Sequence, residues 1–121
     1  MNARQKGLNR VREVKKLLEG MGHVVEGPGY SVAFFGGSMR PVHRDYFGVA
    51  DLISSYDGNF HLHQVTDLKN KSKHVKAIQD GGLSAWLWCK IEGKSGYRIF
   101  IVTPDSISEA QAIFKGEEGL K

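Results

Sequence analysis

The sequence has a single cysteine, Cys89, among its 121 residues. One thiol excludes an internal disulfide and any cysteine-based zinc centre, and it suits a reducing, intracellular setting. No apolar run approaches the roughly 20 residues that a membrane-crossing helix needs, so no membrane association is expected. The first residues, MNARQKGLNRVREVKK, are basic and lack an apolar centre, so they do not read as a signal peptide. The glycines between positions 27 and 37 are not followed by the Lys-Ser or Lys-Thr of a phosphate-binding loop. There is no repeat, low-complexity tract or linker. A cytoplasmic protein of one domain, residues 1–121, is expected.

What is present is ordinary for a folded domain: 40% apolar and 25% charged residues, with 17 basic against 13 acidic side chains and a net charge of +4. That mild excess suits a polyanionic partner and equally a solvated surface. Residues 3–21 predict a helix, because Leu8, Val11, Val14, Leu17, Leu18 and Met21 recur every three or four positions, with Arg12, Lys16 and Glu19 opposite. His23–Glu26 and Ser31–Phe35 read as strands. Residues 36–48 read as an irregular, basic loop carrying Arg40, His43, Arg44 and Asp45. Val49–Ser55 and Phe60–Thr66 read as strands joined at Tyr56-Asp57-Gly58-Asn59. Ser72 is expected to cap a second helix running to Asp80, Leu83–Ile91 and Tyr97–Val102 to form strands, and Pro104-Asp105-Ser106 to open a last helix to about Lys115. The expected fold is α/β, a mixed β-sheet flanked by helices.

Within this frame, residues 44–66 carry the most suggestive chemistry. Metal-assisted phosphodiester hydrolysis needs hard oxygen ligands around Mg2+ or Mn2+. Asp51 stands at the mouth of one strand, Gln64 supplies a neutral oxygen from the next, and the carbonyl of Val65 offers a third. His61 and His63 share a strand face, but no third ligand of matching spacing accompanies them. His43 and His74 read as exposed polar residues, Cys89 as a buried inert thiol, and Trp86 and Trp88 as core or dimer contacts.

Three segments, KGLNRVREVKKLLEGMGHVV, RDYFGVADLI and HLHQVTDLKNKSKHVKAI, resemble the PD-(D/E)xK, or restriction-endonuclease-like, nuclease superfamily. They are most similar to archaeal-type Holliday junction resolvases and their phage relatives. The resemblance covers most of residues 6–78. It implies a restriction-endonuclease-like core and a Mg2+- or Mn2+-dependent endonuclease acting on DNA, in particular branched four-way junctions. It also implies a homodimer in the cytoplasm of a bacterial, archaeal or phage-infected host cell, with the apolar Leu83–Val102 region as a dimer face. Asp51 matches the family aspartate and Gln64 the (E/Q) position. Thr66 stands where a catalytic lysine is usual, and Val11 where the resolvases carry a helix glutamate. Asp45 is the candidate for the missing acid, and Lys69, Lys73 or Lys76, with Lys76 first, for the missing lysine. Arg4, Lys6, Arg10, Arg12, Arg40, His43, Arg44, Lys69 and Lys73 are the candidate DNA-backbone contacts. Two alternatives stay open: a DNA-structure-binding protein on the same fold without catalysis, and an enzyme using Asp45 and Asp51 as a general acid/base pair.

Overall fold

The computed structural model describes residues 3–94, 96–110 and 114–115, with backbone alone at 3–4, 30–35, 39–44 and 114–115. The opening helix, α1 (Ala3–Gly20), buries Val11, Val14, Leu17 and Leu18 and exposes Arg12, Lys16 and Glu19. A Schellman turn ends it: Gly22 at φ +96° lets the His23 N–H reach the Leu18 carbonyl at 3.0 Å and the Gly22 N–H reach Glu19 at 3.1 Å. The strands are β1 (Val24–Glu26), β2 (Gly29–Phe35), β3 (Ser38–Arg44), β4 (Leu52–Tyr56), β5 (Asn59–Asp67), β6 (Ala85–Lys90), β7 (Gly96–Thr103), β8 (Ser106–Glu109) and β9 (Phe114–Lys115), with α2 (Lys71–Asp80) between β5 and β6.

The main sheet runs β1-β4-β5-β6-β7-β8, with β9 also on β7, while β2 and β3 form a separate two-stranded ribbon. Among the described residues only the β5–β6 pair of the main sheet is parallel, and α2 is the crossover that such a pair requires. This is a mixed α/β fold, as the alternating apolar runs predict. The two sheet faces have separate cores. On one, Val11, Val14, Leu17 and Leu18 of α1 pack with Leu52, Val65, Trp88 and Ile99. On the other, Ile78 of α2 packs with Leu87, Cys89, Phe100 and Val102. Each fully buried aliphatic side chain contributes about 1.5–3 kcal/mol relative to exposure.

Three sequence expectations need correction. Residues 36–48 are not an irregular loop, because Ser38–Arg44 pairs in full register with Gly29–Phe35 around Gly36-Gly37, both at positive φ. Pro41 is tolerated there because a two-stranded ribbon has only edge strands. Secondly, Ser106 does not open a helix: its hydroxyl lies 2.7 Å from Thr103 Oγ1 in a tight turn, and the chain returns along β7 as β8. Of the rest of the expected helix, 111–113 lie outside the described residues, and Phe114–Lys115 pairs with β7 as β9 instead. Thirdly, Ser72 does not cap α2, which starts one residue earlier at Lys71; the capping carboxylate is that of Asp67, which accepts from Asn70 N–H at 2.9 Å and closes a 3-10 turn over Leu68–Asn70. Much of the apolar Leu83–Val102 region is interior, although Ile101 stays 37% exposed. Leu87, Trp88, Cys89, Ile99, Phe100 and Val102 are spent on the protein's own two cores.

Candidate functional site

The register of β4 and β5 is set by the two-residue turn Asp57-Gly58, whose Tyr56–Asn59 closing pair is followed by Leu52 opposite His63. Asp51 and Gln64 therefore come side by side at the carboxyl end of β5, where the crossover to α2 begins. Ligands of open α/β sheets commonly bind at this edge. Asp51 N–H donates to the His63 carbonyl at 2.8 Å, and Asp51 Oδ2 accepts from Val65 N–H at 3.0 Å. The carboxylate is thus held by the backbone of the neighbouring strand and is 7% exposed. Gln64 Nε2 donates weakly to the Val65 carbonyl at 3.4 Å, while Gln64 Oε1 is buried with no hydrogen-bond partner.

A carboxylate, an amide oxygen and a backbone carbonyl together make an all-oxygen donor set of the type that Mg2+ or Mn2+ prefers. An orphaned buried acceptor beside a carboxylate is unfavourable unless a cation or donor completes it. The residues therefore fit a hard divalent cation. The set is not a cluster of acids: among the described residues no three His, Cys, Asp or Glu side chains converge on a metal position.

Asp45 joins this neighbourhood from the opposite side of a second hairpin. Tyr46 bridges Ala50, with Tyr46 N–H donating to the Ala50 carbonyl at 2.7 Å, and that register sets Asp45 across from Asp51. Asp45 is exposed, and its charge acts on His74 of α2. His74 is half-buried rather than exposed as the sequence suggested. Burial and then Lys73 lower its pKa, while Asp45 and Asp67 oppose them. The hairpin tip is Phe47-Gly48, at φ +54° and +74°, closed by Val49 N–H to the Tyr46 carbonyl at 3.1 Å. Its neck rests on Gly27, where a Cβ would lie 2.7 Å from the Asp51 carbonyl oxygen and 3.1 Å from the Tyr46 ring. Lys15 of α1 fixes that spot by donating to the Gly27 carbonyl at 2.8 Å.

Thr66 is buried beside Cys89 and presents only a hydroxyl. Lys76 is not brought to Asp51. It pairs with Asp80 at 2.8 Å and borders a cleft shared with Ile107 of β8, at the far edge of the sheet from β4. Lys73 and Arg12 are exposed on their helices. Val11 is in the core, and Glu13 instead faces Lys90 at 3.7 Å.

The basic candidates divide. Lys6, Arg10 and Lys69 line one cleft of about 410 Å³, together with Lys90, Asp67 and Glu92. Arg10 reaches Asp67 at 3.8 Å. The cleft lies at the carboxyl ends of β5 and β6, the same edge as Asp51. Lys90 was not legible as a candidate, because only the parallel Asp67–Lys90 pairing brings it there. The side chains of Arg4, Arg40, His43 and Arg44 lie outside the described residues.

The reverse face of β4 and β5 carries a different polar cluster. Trp88 Nε1–H donates to His63 Nδ1 at 3.0 Å, His63 Nε2 lies 2.7 Å from Ser54 Oγ, and Ser54 Oγ lies 2.9 Å from His23 Nδ1. An indole only donates, so the His63 proton sits on Nε2 and the chain runs from Trp88 through His63 and Ser54 to His23. Burial, then His23 and His61, push the His63 pKa down to about 3, so the ring is neutral. Both of its nitrogens are committed, and His61 packs on Trp86 at 4.9 Å; the pair is structural rather than a metal site. Burial likewise pushes the Cys89 thiol up to about 11, in keeping with an inert thiol. The buried Tyr97 hydroxyl makes no hydrogen bond of ordinary geometry, and its pKa is raised by burial and by the nearby Glu13.

No family model, curated protein or solved structure matches the chain.

Proposed function

We propose that the protein is a Mg2+- or Mn2+-dependent DNA endonuclease with a restriction-endonuclease-like core, acting on branched DNA such as a four-way junction. The observation that carries this reading is the Asp51–Gln64–Val65 oxygen set with its orphaned Gln64 Oε1. Asp51, Gln64 Oε1 and the Val65 carbonyl would hold the cation, with Asp45 opposite Asp51 as a further acid. When bound, such a cation supplies an activated water and neutralises charge on the scissile phosphate.

The chain's own residues supply orientation and binding. The Val65 N–H bond fixes Asp51 at one rotamer. Gly27, held by Lys15, seats the Asp51 backbone. Lys6, Arg10, Lys69 and Lys90 track flanking phosphates in the cleft at the same edge, and binding through them weakens as salt rises. His74, within electrostatic reach of both Asp45 and Asp67, would offer a ring N–H to a phosphate oxygen. A two-fold pair of subunits would serve symmetric cutting of both strands.

A second reading, a nuclease-fold protein that binds branched or duplex DNA without cutting it, is favoured by Thr66 in place of lysine and by the engagement of Lys76 with Asp80. Incubation of four-way junctions and linear duplexes with Mg2+ or Mn2+ separates the two. Cutting that falls at least about a thousandfold in Asp51→Asn, with binding retained, supports the enzyme. Binding without cutting at high protein concentration supports the second reading. Cutting that survives EDTA would instead indicate the metal-free Asp45/Asp51 acid/base pair.

A further inference from the structure

Among the described residues, three hairpin turns begin on a pair of positive-φ residues: the two-residue turns Gly36-Gly37 and Asp57-Gly58, and Phe47-Gly48 in the three-residue loop closed by Tyr46 and Ala50. Glycine and aspartate suit the first position of such a turn, because they enter the left-handed region readily. Phenylalanine does not, and a bulky residue there is a conformational outlier. Nor is Phe47 drawn in by packing, since its side chain is 71% exposed. The fold obtains neither backbone ease nor apolar burial from this ring. The turn beneath it is nonetheless well fixed, by the Tyr46–Ala50 bridge, by the Val49-to-Tyr46 hydrogen bond and by the Tyr46 ring seated on Gly27. Asp51 follows four residues later, so the Cα atoms of Phe47 and Asp51 are at most about 14 Å apart.

Resting on the nuclease-fold reading above, we infer that Phe47 is a stacking wedge. It inserts against the unstacked base at a branch point and sets the preference of the site for branched over continuous DNA. A flat, exposed ring on a fixed turn has the chemistry to receive an exposed base face. Continuous duplex offers no such face without the penalty of unstacking. The wedge thus acts through the site's own substrate, and the Lys6–Arg10–Lys69–Lys90 cleft supplies the sequence-independent attraction to both forms of DNA.

The test uses the full chain with Ca2+ in place of Mg2+, a four-way junction carrying 2-aminopurine at the crossover, and a continuous duplex of the same sequence. Wild type is expected to bind the junction more tightly and to raise the 2-aminopurine fluorescence. Phe47→Asn, which suits the turn better, is expected to lose about tenfold in junction affinity and the fluorescence rise, with duplex affinity unchanged; Phe47→Trp is expected to keep both. Phe60→Ala removes an equally exposed ring at the other end of the sheet, 76% exposed, and is expected to change nothing. Junction binding and fluorescence in Phe47→Asn equal to wild type would overturn the wedge and leave the nuclease-fold reading standing. A wild type that binds neither DNA would overturn both.

Discussion

The β4–β5 pair carries two buried polar clusters, one on each face, and they are built on opposite principles. On the α1 face, Trp88, His63, Ser54 and His23 form a closed chain in which each donor meets an acceptor within 3.0 Å. On the α2 face, Asp51 and Gln64 are equally buried, yet Gln64 Oε1 has no hydrogen-bond partner. On the same strands and at similar burial, the first cluster satisfies its own polar groups, whereas the second leaves one acceptor, Gln64 Oε1, without a partner. The turns at the two ends of β4 repeat the contrast. Asp57-Gly58 is what the backbone favours, whereas Phe47-Gly48, at the end that holds Asp51, is not.

The sharpest way to break this comparison is to remove the centre of each cluster. His63→Ala leaves the Trp88 N–H, the Ser54 hydroxyl and His23 without their partners and opens a void beneath α1. A loss of about 3–5 kcal/mol is expected in urea unfolding. Gln64→Leu deletes an amide whose oxygen is unpaired, and stability is expected to stay within about 1 kcal/mol of wild type. If Gln64→Leu proves as damaging as His63→Ala, the second cluster is structural too.

A somewhat smaller effect separates the clusters by ligand. Mn2+ at about a hundred times its dissociation constant raises the stability of a protein it binds by about 2.7 kcal/mol. Thermal unfolding of wild type should shift upward accordingly, and neither Asp51→Asn nor Gln64→Leu should respond. A shift that persists in Asp51→Asn would place the cation elsewhere.

Acid should act on the closed cluster. The unfolded chain protonates histidine near 6.5, whereas folded His63 resists protonation down to about 3. Between these values the unfolded state binds more protons, so stability is fully present above pH 6.5 and falls as pH drops towards 3. From pH 7.5 to 5.0 the loss through His63 is about 2 kcal/mol. His23, also lowered, adds to it in the same direction. Urea titrations at the two pH values should show this slope, and a His63→Gln variant should flatten it. An equal slope in the variant would assign the pH response to other groups.

Much of this arrangement was legible in the sequence, for identifiable reasons. α1 was legible because its apolar stripe is uninterrupted from Val11 to Leu18. The neighbouring of Asp51 and Gln64 was legible because Asp57-Gly58 fixes the register, and each residue stands five positions from the turn's closing pair, Tyr56–Asn59. The β2–β3 ribbon was missed although Gly36-Gly37 marks its turn, because Pro41 and the basic residues around it read as loop composition. β8 was missed because Pro104-Asp105-Ser106 is also a sound helix start, and pairing with β7 overrides that local preference. The histidine chain and the Lys6–Lys90 cleft draw on elements far apart in sequence, and no local pattern announces their meeting. The restriction-endonuclease-like core and the roles given to Asp45, Asp51 and Gln64 remain a proposal, and Lys76 lies at the opposite sheet edge from the acid it was expected to assist.

The smallest predicted effect tests the contrast between the turns directly. Phe47→Asn relieves a bulky residue held at φ +54° and removes an exposed ring, whereas Asp57→Phe installs the same strain at φ +50° at the other end of β4. The first should gain about 1 kcal/mol and the second should lose about as much, read as opposite shifts in the urea midpoint with unchanged slope. Since both positions are the first of a positive-φ pair, a common sign would mean that the residue is not what distinguishes them. If Phe47→Asn loses stability, the ring has a packing role within the fold, and its exposure no longer calls for an external partner. Opposite signs would show that the Phe47 turn keeps a residue the backbone disfavours, at the end of β4 where Gln64 Oε1 is also left without a hydrogen-bond partner.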